Sequence, residues 1–422
     1  MEDEIMCNEH RSRKEDFTRK RCLGFREVVV LILSKGLKSI QCLLNEFFLK
    51  LALPTVTKTA FCLARLKLSY TVFIELNNKA VVEVYYRNDD FLKYKGLRVL
   101  GIDSTVICLP ESDELAKEFG KTDHTDGKGT TVTGSRPYAR GSVMFDVLNR
   151  IAVDARLEKS KAYEVEIAVK HLSLATELDL ILCDRGYASF RTIVEFDVRN
   201  IKFLIRCSKG SFKIAQEMYK GLGKDSQVVK LVASGDALSE MKLRGLRTEI
   251  EVRFVRIQLD TGENEILVTN LLSETEYPTP DFKELYWMRW GVETFYGVIK
   301  TRLCLENFTG FSVESVRQDF YSTIFLTGLE SILTENAEEI LSQKQVKNPQ
   351  IVNKVISFNA IKNQAMEILC GKGNEKEAIE KLTALFLTNP TQKRPHRKPP
   401  PRRKESNRRL LNFHKYKKKI VF

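Results

Sequence analysis

Leu180-Ile-Leu-Cys-Asp184-Arg-Gly-Tyr187 is a short apolar run closed by a carboxylate and then by turn residues. Such a run reads as a buried strand that delivers Asp184 at its C-terminal end. Arg98-Val-Leu-Gly-Ile-Asp103-Ser-Thr105 has the same form and delivers Asp103 in the same way. Between 97 and 207 the pattern is strand, strand, strand, helix, strand, helix, strand. Strands fit 97–103, 141–148, 150–157, 179–184 and 201–206, and helices fit 162–175 and 188–199. The second and third strands meet at Asn149-Arg150 as a hairpin-like junction. The fold class expected is mixed α/β, of the α+β kind.

A third acid lies downstream, in Tyr286-Trp-Met-Arg289-Trp-Gly-Val-Glu293-Thr-Phe-Tyr-Gly-Val-Ile-Lys300. On one α-helix, at about 100° per residue, Tyr286, Arg289, Glu293 and Lys300 fall within about 60° of one another. A carboxylate ringed by cations suits a site that holds metal ions and phosphates together. Asp103, Asp184 and Glu293 make a three-carboxylate set of hard oxygen ligands, the kind that suits Mg²⁺ or Mn²⁺. Two such ions about 4 Å apart would activate a water or hydroxyl and stabilise the leaving oxygen in phosphodiester cleavage. Asp146, among Met144, Phe145 and Val147, reads as mid-strand and structural rather than catalytic.

Six stretches now combine: Gly101-Ile-Asp103-Ser-Thr105 with Leu109-Pro110, Val143-Met-Phe-Asp146-Val-Leu-Asn149, Asp184-Arg-Gly-Tyr187, Leu267-Val-Thr-Asn-Leu271, the Tyr286–Lys300 segment, and Leu305-Glu-Asn-Phe308 with Gln318-Asp-Phe-Tyr321. Together they resemble bacterial insertion-sequence transposases of the DDE class, in the insertion-sequence-four family, from about residue 20 to about 410. The resemblance implies that Asp103, Asp184 and Glu293 are the catalytic and metal-holding triad, with two Mg²⁺ or Mn²⁺ ions. It implies that Tyr286, Arg289 and Lys300 position DNA phosphates. It also implies cut-and-paste transposition on terminal inverted repeats and target DNA, by a homodimer in the DNA complex, in the bacterial cytoplasm at the nucleoid. The strand order above is that of an RNase H-like core, with its first acid on the first strand and its second on the fourth. Relatives that cut through a DNA hairpin hold a flipped base on an aromatic ring of the insertion. Phe212, Tyr219 and Phe254 lie there, while both tryptophans, Trp287 and Trp290, lie in the Tyr286–Lys300 segment. The base-holding ring is therefore not assigned. Two alternatives stay open: another RNase H-like DNA nuclease, or an inactive, domesticated transposase that only binds DNA.

Six segments are expected. Residues 1–95 form a helical N-terminal DNA-binding region, with 1 to about 22 charged and frayed. Phe25 to Leu53 reads as helix broken near Gly36. Thr57 caps a short helix from Lys58 to Lys67, with Phe61, Leu63 and Leu66 apolar and Lys58, Arg65 and Lys67 polar; DNA contact is one reading of it and a purely structural helical cap the other. Residues 96–207 begin the core, 208–278 are a β-rich insertion, and 279–340 complete the core. Within the insertion, Glu249–Gln258 and Glu265–Leu272 alternate like strands around Asp260-Thr-Gly262-Glu. Pro280 opens the next helix, and Gly291 inside it costs about 1 kcal/mol relative to Ala. A helical region at 341–390 and a basic tail at 391–422 follow.

The tail carries most of the charge. The chain has 422 residues and formal net charge +13. From Thr391 onward thirteen Lys or Arg face one Glu, so 13 − 1 = +12, leaving 13 − 12 = +1 for the rest. Lys398-Pro-Pro-Pro-Arg402 forbids regular structure there. A basic arm of this kind is an electrostatic footprint of nucleic-acid binding; a solubilising tail is the other reading. The nine cysteines show no paired spacing, which fits a reducing compartment and no structural zinc. Cys183, beside Asp184, should face the opposite side of its strand. His124 and Asp126 fall in the Gly-rich stretch 121–129, read as a surface loop. No apolar run approaches the roughly 20 residues of a membrane span, and Met1-Glu-Asp-Glu does not have the form of a signal peptide.

Overall fold

The computed structural model describes residues 4–125, 132–370 and 375–393. In chain order the helices are α1 (Glu4–His10), α2 (Phe25–Leu33), α3 (Ile40–Lys50), α4 (Lys58–Arg65), α5 (Thr71–Asn77), α6 (Glu83–Tyr86), α7 (Asp113–Phe119), α8 (Glu164–His171), α9 (Phe190–Asp197), α10 (Lys213–Tyr219), α11 (Gly235–Leu243), α12 (Asp281–Trp287), α13 (Trp290–Thr301), α14 (Val313–Ser342), α15 (Lys354–Cys370) and α16 (Glu375–Thr388). The strands are β1 (Arg98–Cys108), β2 (Lys121–Thr125), β3 (Val132–Asp146), β4 (Ile151–Lys159), β5 (Asp179–Cys183), β6 (Lys202–Arg206), β7 (Ser226–Val232), β8 (Glu249–Gln258), β9 (Asn264–Thr269), β10 (Gln350–Ile351) and β11 (Thr391–Gln392). Hydroxyl caps set several helix starts. The side chains of Ser39, Thr57, Ser189 and Ser312 each accept the N–H three residues on, satisfying a donor the helix cannot.

Two compact units form. The described residues of Met1–Arg87, Ile107–Ala139 and Gly297–Phe422 make one, and Asn88–Val106 with Arg140–Tyr296 make the other. In the second unit the sheet order is β4–β3–β1–β5–β6–β9–β8–β7. β5 runs parallel to β1 and β6 parallel to β5, while β9, β8 and β7 are antiparallel additions. Strands β4, β3, β1, β5 and β6, in that spatial order, are the five strands of an RNase H-like core. β5 is buried at all five positions, as a strand covered on both faces must be.

The insertion does not stand apart from this core. β9 pairs with β6 through Leu204↔Thr269 and Arg206↔Leu267. Leu180, Leu182 and Leu204 of the core strands share one apolar cluster with Val255, Leu267, Phe282, Leu285 and Tyr286. Fully buried Arg253 on β8 donates to Ser226 Oγ (2.8 Å), the Tyr277 carbonyl (2.7 Å) and Thr279 Oγ1 (3.0 Å), and so fixes the approach to α12. The segment 208–278 also holds two helices, α10 and α11.

In the first unit the 30-residue α14 is buried along most of its length and packs against α5, α2, α15 and α16. Residues 4–22 are not frayed: α1 is docked by buried His10, whose Nδ1 lies 2.8 Å from Thr71 Oγ1 and whose Nε2 lies 2.5 Å from Glu75. Lys121–Thr125 is strand β2, antiparallel to β3, where a surface loop was expected. The remainder of that stretch around Asp126, the side chain of His124, and the tail beyond Lys393 lie outside the described residues. Among the described residues no helix is long and apolar enough to cross a membrane, and eight cysteines are free thiols.

Candidate active site

β5 ends at Cys183, and Asp184 follows it at once. Cys183 is fully buried, and burial pushes its thiol up. Asp103 is not at a strand end, because β1 continues to Cys108. Glu293 comes from α13. The expected single helix is two: α12 stops at Trp287, a turn occupies Met288 and Arg289, and α13 starts at Trp290. The packing explains the glycines. A Cβ on Gly101 would lie 3.3 Å from Val147 Cγ1 and 3.5 Å from Val292 Cβ, and one on Gly291 would lie 3.1 Å from Val147 Cβ. α13 therefore presses on β1 and on the end of β3. That brings Glu293 to the strand that carries Asp103, and it is what offsets the helix cost of Gly291.

The three acids share one electrostatic environment. Burial pushes the Asp103 carboxyl up to about 6; the charges of Glu293 and Asp184 add to this, while the Ser104 N–H and Arg289 oppose it. Arginines hold the other two acids. Arg206 Nε and Nη2 donate to Asp184 Oδ1 at 2.9 and 2.8 Å, and Arg206 Nη1 reaches Glu265 at 2.7 Å. Arg289 Nη2 donates to Glu293 Oε1 at 2.8 Å. Among the described residues these bonds fall on one oxygen of each carboxylate, which leaves the other for a cation. The donor set is all oxygen, and a buried carboxyl raised by two like charges is relieved by a divalent cation. The residues fit Mg²⁺ or Mn²⁺.

Among the described residues, one trio of possible ligand atoms lies within 4.8 Å of one another: Glu9, His10 and Glu75. His10 is already bonded to Thr71 and Glu75, and Lys79 pairs with Glu75. A cation seated on that carboxylate argues against a metal there. The carboxylates of Asp103, Asp184 and Glu293 are set wider.

The remaining candidates divide. Arg289 is 2 % exposed, stacks 4.9 Å over Trp290, and has a buried Nε with no partner. An orphaned guanidinium donor beside carboxylates is a place for an anion such as a phosphate. Tyr286 is buried, and its hydroxyl lies a long 3.5 Å from the Cys183 carbonyl and Asp184 Oδ1. Lys300 belongs to the first unit, where it sits 3.9 Å from Glu306 and burial holds its ammonium below the usual lysine range. Lys58 is exposed, and Lys67 lies 3.7 Å from Asp16.

Arg65 leaves the DNA-facing set. It is 2 % exposed and donates to Gln318 Oε1, Thr309 Oγ1, the Ser315 carbonyl and Asp319 Oδ1 at 2.7 to 3.1 Å. The helix α4 is rotated from expectation, with Leu63 outward at 59 % exposure. Pairing with buried Asp319 outweighed the rule that charges face water. Asp146 is structural but ends β3: its Oδ1 accepts from the Leu148 and Asn149 N–H groups. Of the insertion's rings, Phe254 is fully buried, Phe212 packs edge-on against it at 5.6 Å, and Tyr219 donates to the Cys207 carbonyl at 2.6 Å. Both tryptophans are exposed, Trp287 at 69 % and Trp290 at 45 %.

Arg206 was missed from the sequence, though a signal existed. β6 is parallel to β5 with Cys183↔Ile205 in register, so the residue after each partner lies side by side. A basic residue closing the strand that neighbours the Asp184 strand was the clue. Tyr296 was missed too; its hydroxyl donates to the Asp103 carbonyl at 2.7 Å.

Comparison with known proteins gives the family. The sequence profile of the Transposase DDE domain matches residues 94–327, and the chain belongs to that family. Members of the family use divalent metal ions. The transposase InsG for insertion sequence element IS4 of Escherichia coli (strain K12) is 23 % identical over 251 residues, covering 58 % of this chain and 54 % of that protein. The chain thus matches about half the length of this curated relative. A solved piggyBac transposase synaptic complex with hairpin DNA aligns over 89 % of this chain and 79 % of its own, with TM-score 0.40 and 10 % identity. The RNase H-like assignment rests on the strand order.

Proposed function

We propose that this chain is a DNA transposase that excises and inserts an insertion sequence. The observation that carries the reading is the convergence of Asp103, Asp184 and Glu293 from β1, the end of β5 and α13, with the Asp103 carboxyl raised to about 6. End cleavage is hydrolysis: a water oxygen bonds to phosphorus and gives up a proton to solvent, while the bridging P–O3′ bond breaks and O3′ takes up a proton to become a free 3′-OH. Strand transfer repeats the exchange with the freed 3′-OH as nucleophile on target DNA. When bound, a pair of Mg²⁺ or Mn²⁺ ions supplies nucleophile activation and charge neutralisation. The chain's own groups do the rest. Asp103, Asp184 and Glu293 hold the ions through their unbonded oxygens. Arg289 meets the phosphate, and Arg206 orients Asp184. Tyr286 and Lys300 each act on DNA phosphates, and Lys58 and Lys67 contact the element end.

The partners are double-stranded terminal inverted repeats and target DNA, handled by a homodimer because excision needs chemistry at two ends. The compartment is the bacterial cytoplasm, at the nucleoid. The test uses DNA from an element end with Mg²⁺ or Mn²⁺. Asp103→Ala, Asp184→Ala and Glu293→Ala should each abolish cleavage while DNA binding persists. A single variant that cleaves at the wild-type rate removes that residue from the triad.

A further inference from the structure

Behind the strand that carries Asp103, the fold encloses a serine, a histidine and an aspartate in one hydrogen-bonded row. Ser142 on β3 and His171 at the end of α8 are both fully buried. Ser142 Oγ lies 3.0 Å from His171 Nε2, and His171 Nδ1 lies 2.8 Å from Asp154 Oδ2 on β4. The Asp154 side chain keeps 13 % exposure and also takes Arg156 at 3.0 Å. The other end of the row is the informative one. Ser142 Oγ donates to the backbone carbonyl of Asp103 at 3.3 Å, beside the Tyr296 hydroxyl that donates to the same oxygen.

The trio has the order of a nucleophile, a base and an orienting acid, but it cannot attack a substrate. Ser142 is sealed from solvent, and its hydroxyl is aimed at a protein carbonyl. Nor does packing explain it, because enclosing three polar side chains costs more than filling the same space with apolar ones. The Ser142 hydroxyl links the Asp103 carbonyl to His171, and the His171 ring links that hydroxyl to the Asp154 carboxylate.

We propose that Asp154, His171 and Ser142 form a positioning relay that locks the Asp103 backbone, and through it the aim of the Asp103 carboxylate at a divalent cation. The three are positioning residues, and the inference rests on the transposase reading above. Outer groups of this kind are worth about 10–100-fold in metal affinity when removed.

The experiment measures Mn²⁺ binding to the full chain by electron paramagnetic resonance, with thermal melting and end cleavage alongside. The proteins are wild type, Asp103→Ala, Ser142→Ala and Asp154→Asn. Asp154→Asn is isosteric and two residues removed from Asp103 along the row, so a packing role alone would leave the Mn²⁺ signal unmoved. The expected result is about tenfold weaker Mn²⁺ binding in both Ser142→Ala and Asp154→Asn, with slower cleavage. If Ser142→Ala fails to fold, Asp154→Asn decides. Wild-type Mn²⁺ affinity in a folded Asp154→Asn protein overturns the relay while leaving the transposase reading intact. Wild-type Mn²⁺ affinity in Asp103→Ala overturns that reading and the relay with it.

Discussion

Arg65→Ala should cost stability rather than DNA affinity. The guanidinium makes four hydrogen bonds inside the first unit, one of them to Asp319, which is fully buried. Burial alone would raise the Asp319 carboxyl; Lys35 and Arg65 outweigh it and hold it below the usual carboxylate range. After substitution, Asp319 keeps the Thr309 N–H at 2.6 Å but only one cation, Lys35, at 3.9 Å. Removing one partner of a buried pair costs about 3–5 kcal/mol. At about 2–4 °C per kcal/mol for a unit of this size, melting should fall by about 6–20 °C. The linkage has a sign. A carboxylate depressed by folding stabilises the fold above its unfolded value, and that contribution disappears as pH falls through the folded one. The gap between wild type and Arg65→Ala should therefore narrow in acid. The assays are calorimetric melting from neutral pH downwards and gel-shift titration well below the melt. A melt within 2 °C of wild type, coupled to a tenfold loss of DNA affinity, would refute the packing argument and return α4 to a DNA-facing role.

Arg289→Ala should slow end cleavage about 100-fold, the scale for losing a donor to developing charge. Arg289→Lys should not restore it, since one ammonium cannot serve Glu293 and a phosphate through separate arms; gel-resolved cleavage rates check both. Asp103→Asn should stabilise the metal-free protein at pH 7, by about 1–3 kcal/mol. An acid whose folded value is about 6 is strained when ionised, and the gain should vanish below about pH 4, where both states are protonated. Denaturant melts at several pH values decide this, and equal stability of the two proteins at pH 7 would refute it. Deleting residues 391–422 removes +12 of the +13 net charge, so the slope of log DNA affinity against log salt should become shallower. An unchanged slope would assign the tail to solubility.

The core strands were legible because buried parallel strands are written as unbroken apolar runs. Leu180–Cys183 has few readings other than a strand that ends in Asp184. The carboxylates at 103, 184 and 293 followed from residue type and order. What stayed hidden depended on contacts between distant segments. Nothing near Arg65 in sequence announces Asp319, 254 residues away, and without it an arginine on a short helix reads as a surface charge. The turn at Met288 and Arg289 was hidden for a similar reason. The residues there have ordinary helix propensity, and the break accompanies Gly291 closing on Val147, a tertiary contact. The Ser142–His171–Asp154 row was invisible because its members come from β3, α8 and β4, at spacings that match no motif.

The pairing of β9 with β6 has a consequence for anyone wishing to trim this protein to a minimal nuclease. Phe203, Leu204 and Ile205 on β6 are fully buried, and the hairpin of β8 and β9 continues the sheet beyond them and packs Val255 and Leu267 with Leu204. Excising 208–278 would turn β6 into an apolar edge with unpaired backbone groups, the type of surface that recruits strands from other chains. The natural outer edge is better guarded: β7 places Lys230 near its middle. A truncated version would be expected to precipitate during expression unless charged residues or proline were first placed on the new edge.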